Sequence, residues 1–138
     1  MWHLVLTTHF SLVQFYTALD RPVLIVNLDP AAPSPSYPCA VNISSLISLD
    51  DAMNAHGLGP NGAMLYCLEY LEANLDWLEG ELDRVMEAGG WGRETGKREE
   101  AMVIFDTPGQ VELSTDHGSL KRILEHLNLK GGWRVSRL

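Results

Sequence analysis

Two segments of the chain are apolar at consecutive positions. Residues 22–28, PVLIVNL, and 102–105, MVIF, are short, unbroken and rich in β-branched side chains. Such runs predict buried strands of the kind found in parallel sheets. Pro22 and the pair Asp29-Pro30 bound the first run. A different rhythm occupies 62–88, where Met64, Leu68, Leu71, Leu75, Leu78, Leu82 and Val85 alternate spacings of four and three. Glu69, Glu72, Asp76, Glu79 and Asp83 fill other positions. This pattern predicts one long core-facing helix with a solvated acidic face. Gly80 is its expected weak point, at a cost of about 1 kcal/mol relative to Ala. A second amphipathic helix is predicted at about 115–128, with Leu120, Ile123, Leu124 and Leu127 on one face.

The remaining segments carry weaker patterns. Residues 10–19 have crowded apolar spacing that suggests a helix, and 43–57 suggest one or two short helical pieces ended by Gly57. Four prolines at 30–38 require an extended loop. Four glycines at 89–100 predict a flexible loop, and 129–138 form a tail without a predicted element. Strand, long helical excursion, strand, helix is the order of an α/β fold with a parallel sheet.

With 138 residues, 46% apolar and 20% charged, the chain has the composition of one globular domain. A formal net charge of −8 argues against a partner bound through its phosphate backbone, so no direct nucleic-acid role is expected. It leaves room for a mononucleotide, because backbone N–H groups and a metal can neutralise phosphate. No apolar run approaches the ~18–20 residues of a membrane span. The opening MWHLVLTTHF lacks a basic segment and a small-residue cleavage site, so a cytoplasmic location is expected. Cys39 and Cys67 have no zinc spacing and read as reduced thiols.

Both predicted strands run into an aspartate, Asp29 and Asp106. In open parallel sheets ligands gather beyond the carboxyl ends of the strands, and two carboxylates there can hold magnesium. Each Asp can equally begin a turn or cap the next segment. After Asp106 the sequence continues Thr107-Pro108-Gly109-Gln110. Gly109 would let the backbone approach a terminal phosphate, and Gln110 could orient an attacking water. Gly59, Pro60, Asn61 and Gly62 form a predicted tight turn ahead of the long helix. Asn61 either aims its amide at an anion there or caps the helix.

Taken together, VNLDPA (26–31), YPCA (37–40), LGPNG (58–62), LYCLEYLEANLDWL (65–78) and DTPGQVEL (106–113) resemble the GPN-loop GTPase family, nearest its second eukaryotic paralogue. The resemblance covers about 11–128, a single partial domain. It implies an incomplete P-loop NTPase-type parallel sheet flanked by helices, with GTP and Mg²⁺ as ligands. It implies homo- or heterodimers in which Gly59, Pro60 and Asn61 reach the partner's nucleotide site, Asn61 near the terminal or leaving phosphate. Asp106 and Asp29 would lie at the metal, Asp29 also near the catalytic water. Gly109 would sense phosphate, and Gln110 and Glu112 match further family positions. Eukaryotic members are linked to RNA polymerase II assembly factors and nuclear import, which implies shuttling between cytoplasm and nucleus.

One half of such a site is missing. G-x-x-x-x-G-K-[ST] does not occur: the first glycine is Gly57 and the first lysine Lys97. Residues 4–7, LVLT, stand where that cradle would end, and no N-K-x-D comes after Leu129. The resemblance thus covers the middle of a longer domain, as a shortened splice form or a misbounded gene would. The chain as written is expected to bind GTP poorly, which leaves a non-catalytic module docking on a full-length partner as the alternative. Without the central cradle strand, the strands near 23–28 and 102–106 are expected to lack a shared neighbour, for which residues 3–7 offer a substitute.

Overall fold

A computed structural model describes residues 2–4, 9–95, 97, 101–109, 118–129 and 135–137. The strands are β1 (Trp2–Leu4), β2 (Val23–Asn27), β3 (Val41–Asn42), β4 (Met102–Asp106) and β5 (Val135–Arg137). The helices are α1 (His9–Ala18), α2 (Leu49–His56), α3 (Pro60–Ala73), α4 (Leu75–Ala88) and α5 (Ser119–Leu129). Single 3₁₀ turns lie at Ile43–Ser45 and Arg93–Thr95. All strand pairs are parallel, in the order β3-β2-β4-β1-β5.

The two main strands were expected to lack a shared neighbour; in this order no strand lies between them, because they are each other's neighbours. β2 and β4 pair directly over their whole length, from Val23↔Met102 to Asn27↔Asp106. β1 lies on the far side of β4, and residues 5–7 of the suggested substitute strand fall outside the described residues. The tail also departs from expectation, since β5 pairs with β1. Part of the 115–128 prediction, residues 115–117, lies outside the described residues, and the helix itself runs to Leu129.

Side chains alternate across the strands, so each face of β2–β4 has its own packing. Val26, Leu28, Val103 and Phe105 join Leu71, Leu78, Leu82, Met86, Ile123 and Leu127 in the main core beneath α3, α4 and α5. Met102 and Ile104 face the other way, against Tyr16 of α1 and Val23. Ala52, Ala63 and Cys67 form a small core between α2 and α3. Arg122 of α5 donates to Glu72 of α3, and His126 meets Glu79 of α4 at 2.9 Å, which ties α5 across the helical layer.

The predicted long helix is two helices, broken at Asn74 and not at Gly80. Asn74 leaves helical geometry, with φ −124° and ψ 43°. Its Nδ2 donates to the Tyr70 carbonyl at 2.7 Å, while its backbone N–H turns to Leu71 O at 3.0 Å. The side chain thereby takes the acceptor that a continuous helix would have used for its backbone, a competition typical of Asn. The apolar rhythm runs through the break unchanged, so the periodicity could not reveal it. Gly80 lies exposed within α4, and a Cβ there meets nothing within 4 Å. Gly80→Ala is therefore expected to raise the unfolding free energy by about 1 kcal/mol, measured by urea denaturation, because it removes only unfolded-state freedom.

Candidate functional site

Asn27 is fully buried at the end of an otherwise apolar strand. Its Nδ2 donates to Ala32 O at 2.8 Å and to Asn42 Oδ1 at 3.3 Å. Its Oδ1 accepts from the Asp29 backbone N–H at 3.0 Å. Asn42, at the end of β3, donates to Pro33 O at 2.9 Å and accepts from Ser44 N–H at 3.0 Å. Two asparagines therefore fasten the proline-rich segment that leaves β2. The prolines contribute no N–H, so side-chain amides do the fastening.

The carboxyl ends of β2 and β4 lie side by side. Asn27 is in register with Asp106, and the Leu28 N–H donates to the Asp106 carbonyl at 2.7 Å. Asp29 and Asp106 leave the sheet next to each other, and the Asp106 charge acts on Asp29. Burial pushes the Asp29 carboxyl above the usual carboxylate range. The Ala31 N–H, 2.9 Å from Oδ1, pulls it down, and the Asp106 charge pushes it up again. A raised carboxyl costs stability when ionised, and that cost disappears as the pH falls through the raised value and Asp29 takes up a proton.

Tyr37 arrives over this pair from the fastened loop, and its phenol donates to Asp106 Oδ2. Burial first, then the hydrogen bond to Asp106 and the charges around it, push the phenol far up, so it keeps its proton. Thr107 follows Asp106 with its hydroxyl buried and without a hydrogen-bond partner among the described residues.

These groups suit one of the two ligands implied by the resemblance. Adjacent carboxylates are hard oxygen donors, the chemistry of Mg²⁺. A nucleotide does not fit equally well, because the chain has no glycine before Gly57 and no lysine before Lys97 to surround its phosphates.

The other predicted positions are less tightly gathered. Gly59 is the residue before α3, while Pro60, Asn61 and Gly62 form its first turn instead of a separate tight turn. Asn61 does not cap: Gly59 holds the cap position, and the Asn61 side chain is exposed without a hydrogen bond to any described residue. Gly109 is exposed, and an added Cβ meets nothing within 4 Å among the described residues. Gln110 and Glu112 lie outside the described residues. Sequence pattern gave Tyr37 no role of its own and passed over Asn27. A single amide inside VLIVNL was the available signal, because a polar group in a buried strand must have partners.

A family model described as "Conserved hypothetical ATP binding protein" matches residues 7–135. GPN-loop GTPase 2 of Danio rerio is 47% identical over 115 residues, covering 83% of this chain and 33% of that protein. GPN-loop GTPase QQT1 of Arabidopsis thaliana is 46% identical over 114 residues, with 83% and 34% covered. The chain thus spans about a third of the length of these curated relatives. Among solved structures, a GTPase in apo form from Pyrococcus abyssi aligns with a TM-score of 0.64 at 22% identity, over 90% of this chain and 48% of that one. At that identity the likeness speaks for the fold, a P-loop NTPase-type α/β sheet.

Proposed function

The chain belongs to the GPN-loop GTPase family, and from that premise we propose that it carries the magnesium-facing middle of a GTP-hydrolysing domain. The observation that carries this reading is the convergence of Asp29 and Asp106 at adjacent strand ends. In the complete domain these two carboxylates hold Mg²⁺, directly or through its waters. Asp29 also faces the catalytic water, Gly109 faces the terminal phosphate, and Gln110 orients the water, with Glu112 nearby in sequence. Gly59, Pro60 and Asn61 serve a second GPN-loop subunit in a homo- or heterodimer. The exposed, uncommitted amide of Asn61 supports that role. The same reading extends to a role in RNA polymerase II assembly and nuclear import for a cytoplasmic protein that enters the nucleus. Among the described residues no helix is long and apolar enough to cross a membrane.

The 138 residues alone make a poor nucleotide site. A phosphate cradle supplies three or four charge-assisted hydrogen bonds of roughly 1.5–3 kcal/mol each, besides its lysine. Their absence costs on the order of 5–10 kcal/mol, or about 10⁴–10⁷ in affinity. A chain of these residues is expected to show no thermal shift at millimolar Mg²⁺-GTP. A nucleotide-dependent shift that Asp106→Asn abolishes would overturn this part of the proposal. The exposed Asn61 amide in the first turn of α3 also suits a second reading, a non-catalytic module that docks through α3 on a full-length GPN-loop GTPase. Co-elution with such a partner in size-exclusion chromatography, lost on Asn61→Ala, is its expected signature.

A further inference from the structure

The phenol of Tyr37 stands on the carboxylate oxygen that a cation would want. Tyr37 donates to Asp106 Oδ2, and the segment bearing it is fastened before Tyr37 by Asn27 on Ala32 O and Asn42 on Pro33 O, and after it by the Ala40 N–H on Ile25 O. The contact joins residues 69 apart in sequence, so it is built by the fold and is not a local turn. We infer that Tyr37 is a latch that determines cation affinity: its hydroxyl competes with a divalent cation for Asp106 Oδ2 and leaves when the cation binds the Asp29–Asp106 pair. The inference rests on the magnesium reading given above.

The chemistry favours exchange in that order. A protonated phenol offers the carboxylate one hydrogen bond and no charge, so the repulsion between Asp29 and Asp106 persists beneath it. A divalent cation neutralises both. The hydroxyl moves away with its proton, and no bond other than hydrogen bonds and metal–oxygen contacts changes. The fastened loop limits how far Tyr37 can travel, because Asn27 and Asn42 still hold its base. Cation binding therefore changes the loop around Tyr37 more than the sheet.

The test uses the 138-residue chain and metal ions alone. Mn²⁺ binding is followed by electron paramagnetic resonance for the unaltered chain, Tyr37→Phe and Asp106→Asn. A hydrogen bond to a charged group that must be broken before binding makes Tyr37→Phe bind Mn²⁺ about tenfold more tightly. Asp106→Asn should lose binding. In chains labelled with 3-fluorotyrosine, the ¹⁹F resonance that disappears in Tyr37→Phe should move on adding Mg²⁺, while that of the exposed Tyr70, assigned by Tyr70→Phe, should not. Asp106-dependent binding that Tyr37→Phe leaves unchanged would overturn the latch and keep the magnesium reading. Absence of Mn²⁺ binding at millimolar concentration in both the unaltered chain and Tyr37→Phe would overturn the magnesium reading, and the latch with it. Circular dichroism of each variant separates these outcomes from unfolding.

Discussion

Asn27→Ala is expected to lower the unfolding free energy by about 3 kcal/mol, from the cost of stranding buried polar groups. Asn27 is 0% exposed and serves three partners: the Asp29 N–H, Ala32 O and Asn42 Oδ1. Truncation removes all three at once and leaves a void. Asn42 keeps its bonds to Pro33 and Ser44, so β3 should survive while the start of the proline-rich segment loosens. Asn27→Asp should do no better: it retains an acceptor for Asp29 N–H but loses both donations and brings a third carboxylate toward Asp29 and Asp106. Urea denaturation measures the loss. Limited proteolysis should show new cleavage between 28 and 40 under conditions that leave the folded chain intact. A loss below about 1 kcal/mol would mean that Asn27 is not the fastening described here.

Phe105→Ala should cost about 4 kcal/mol, within the usual range for truncating a buried aromatic. Phe105 is 2% exposed and faces the main core from β4. Against a typical stability of roughly 5–15 kcal/mol, such a loss threatens folding at physiological temperature. The neighbouring Asp106 makes the change informative about the site as well. Its placement depends on β4 lying flat against α4 and α5, so relaxation into the void should disturb the Tyr37 contact even in molecules that remain folded. Phe105→Leu, which retains more of the volume, should cost less. Equal losses for the two variants in chemical denaturation would show that packing at this position is not what holds β4.

The strands were legible because burial on both faces leaves an unbroken apolar run, which VLIV and MVIF display. Their adjacency was not, since periodicity describes each strand's own environment and carries no record of its neighbour. The pairing of Asn27 with Asp106 is a property of the assembled sheet. The aspartates were legible as a candidate pair from position alone, at the ends of two such runs. Tyr37 was not, because its role arises from a loop whose path is fixed by two amides at 27 and 42. The break at Asn74 stayed hidden for another reason. It rests on one side-chain hydrogen bond to Tyr70, while every apolar position on either side continues the helical phase.

The strand order has a consequence for how the chain assembles. β4 lies between β2 and β1, yet it comes after α2, α3 and α4 in sequence. Until residue 106 is available, β2 has only the two-residue β3 beside it and cannot form a sheet of useful width. The α2–α3 pair, close in sequence and with its own small core, can order first; closure of the sheet must wait for a long excursion to be brought back. A nascent polypeptide stopped before β4 would thus hold packed helices beside a nearly naked apolar strand, the species most in need of a chaperone.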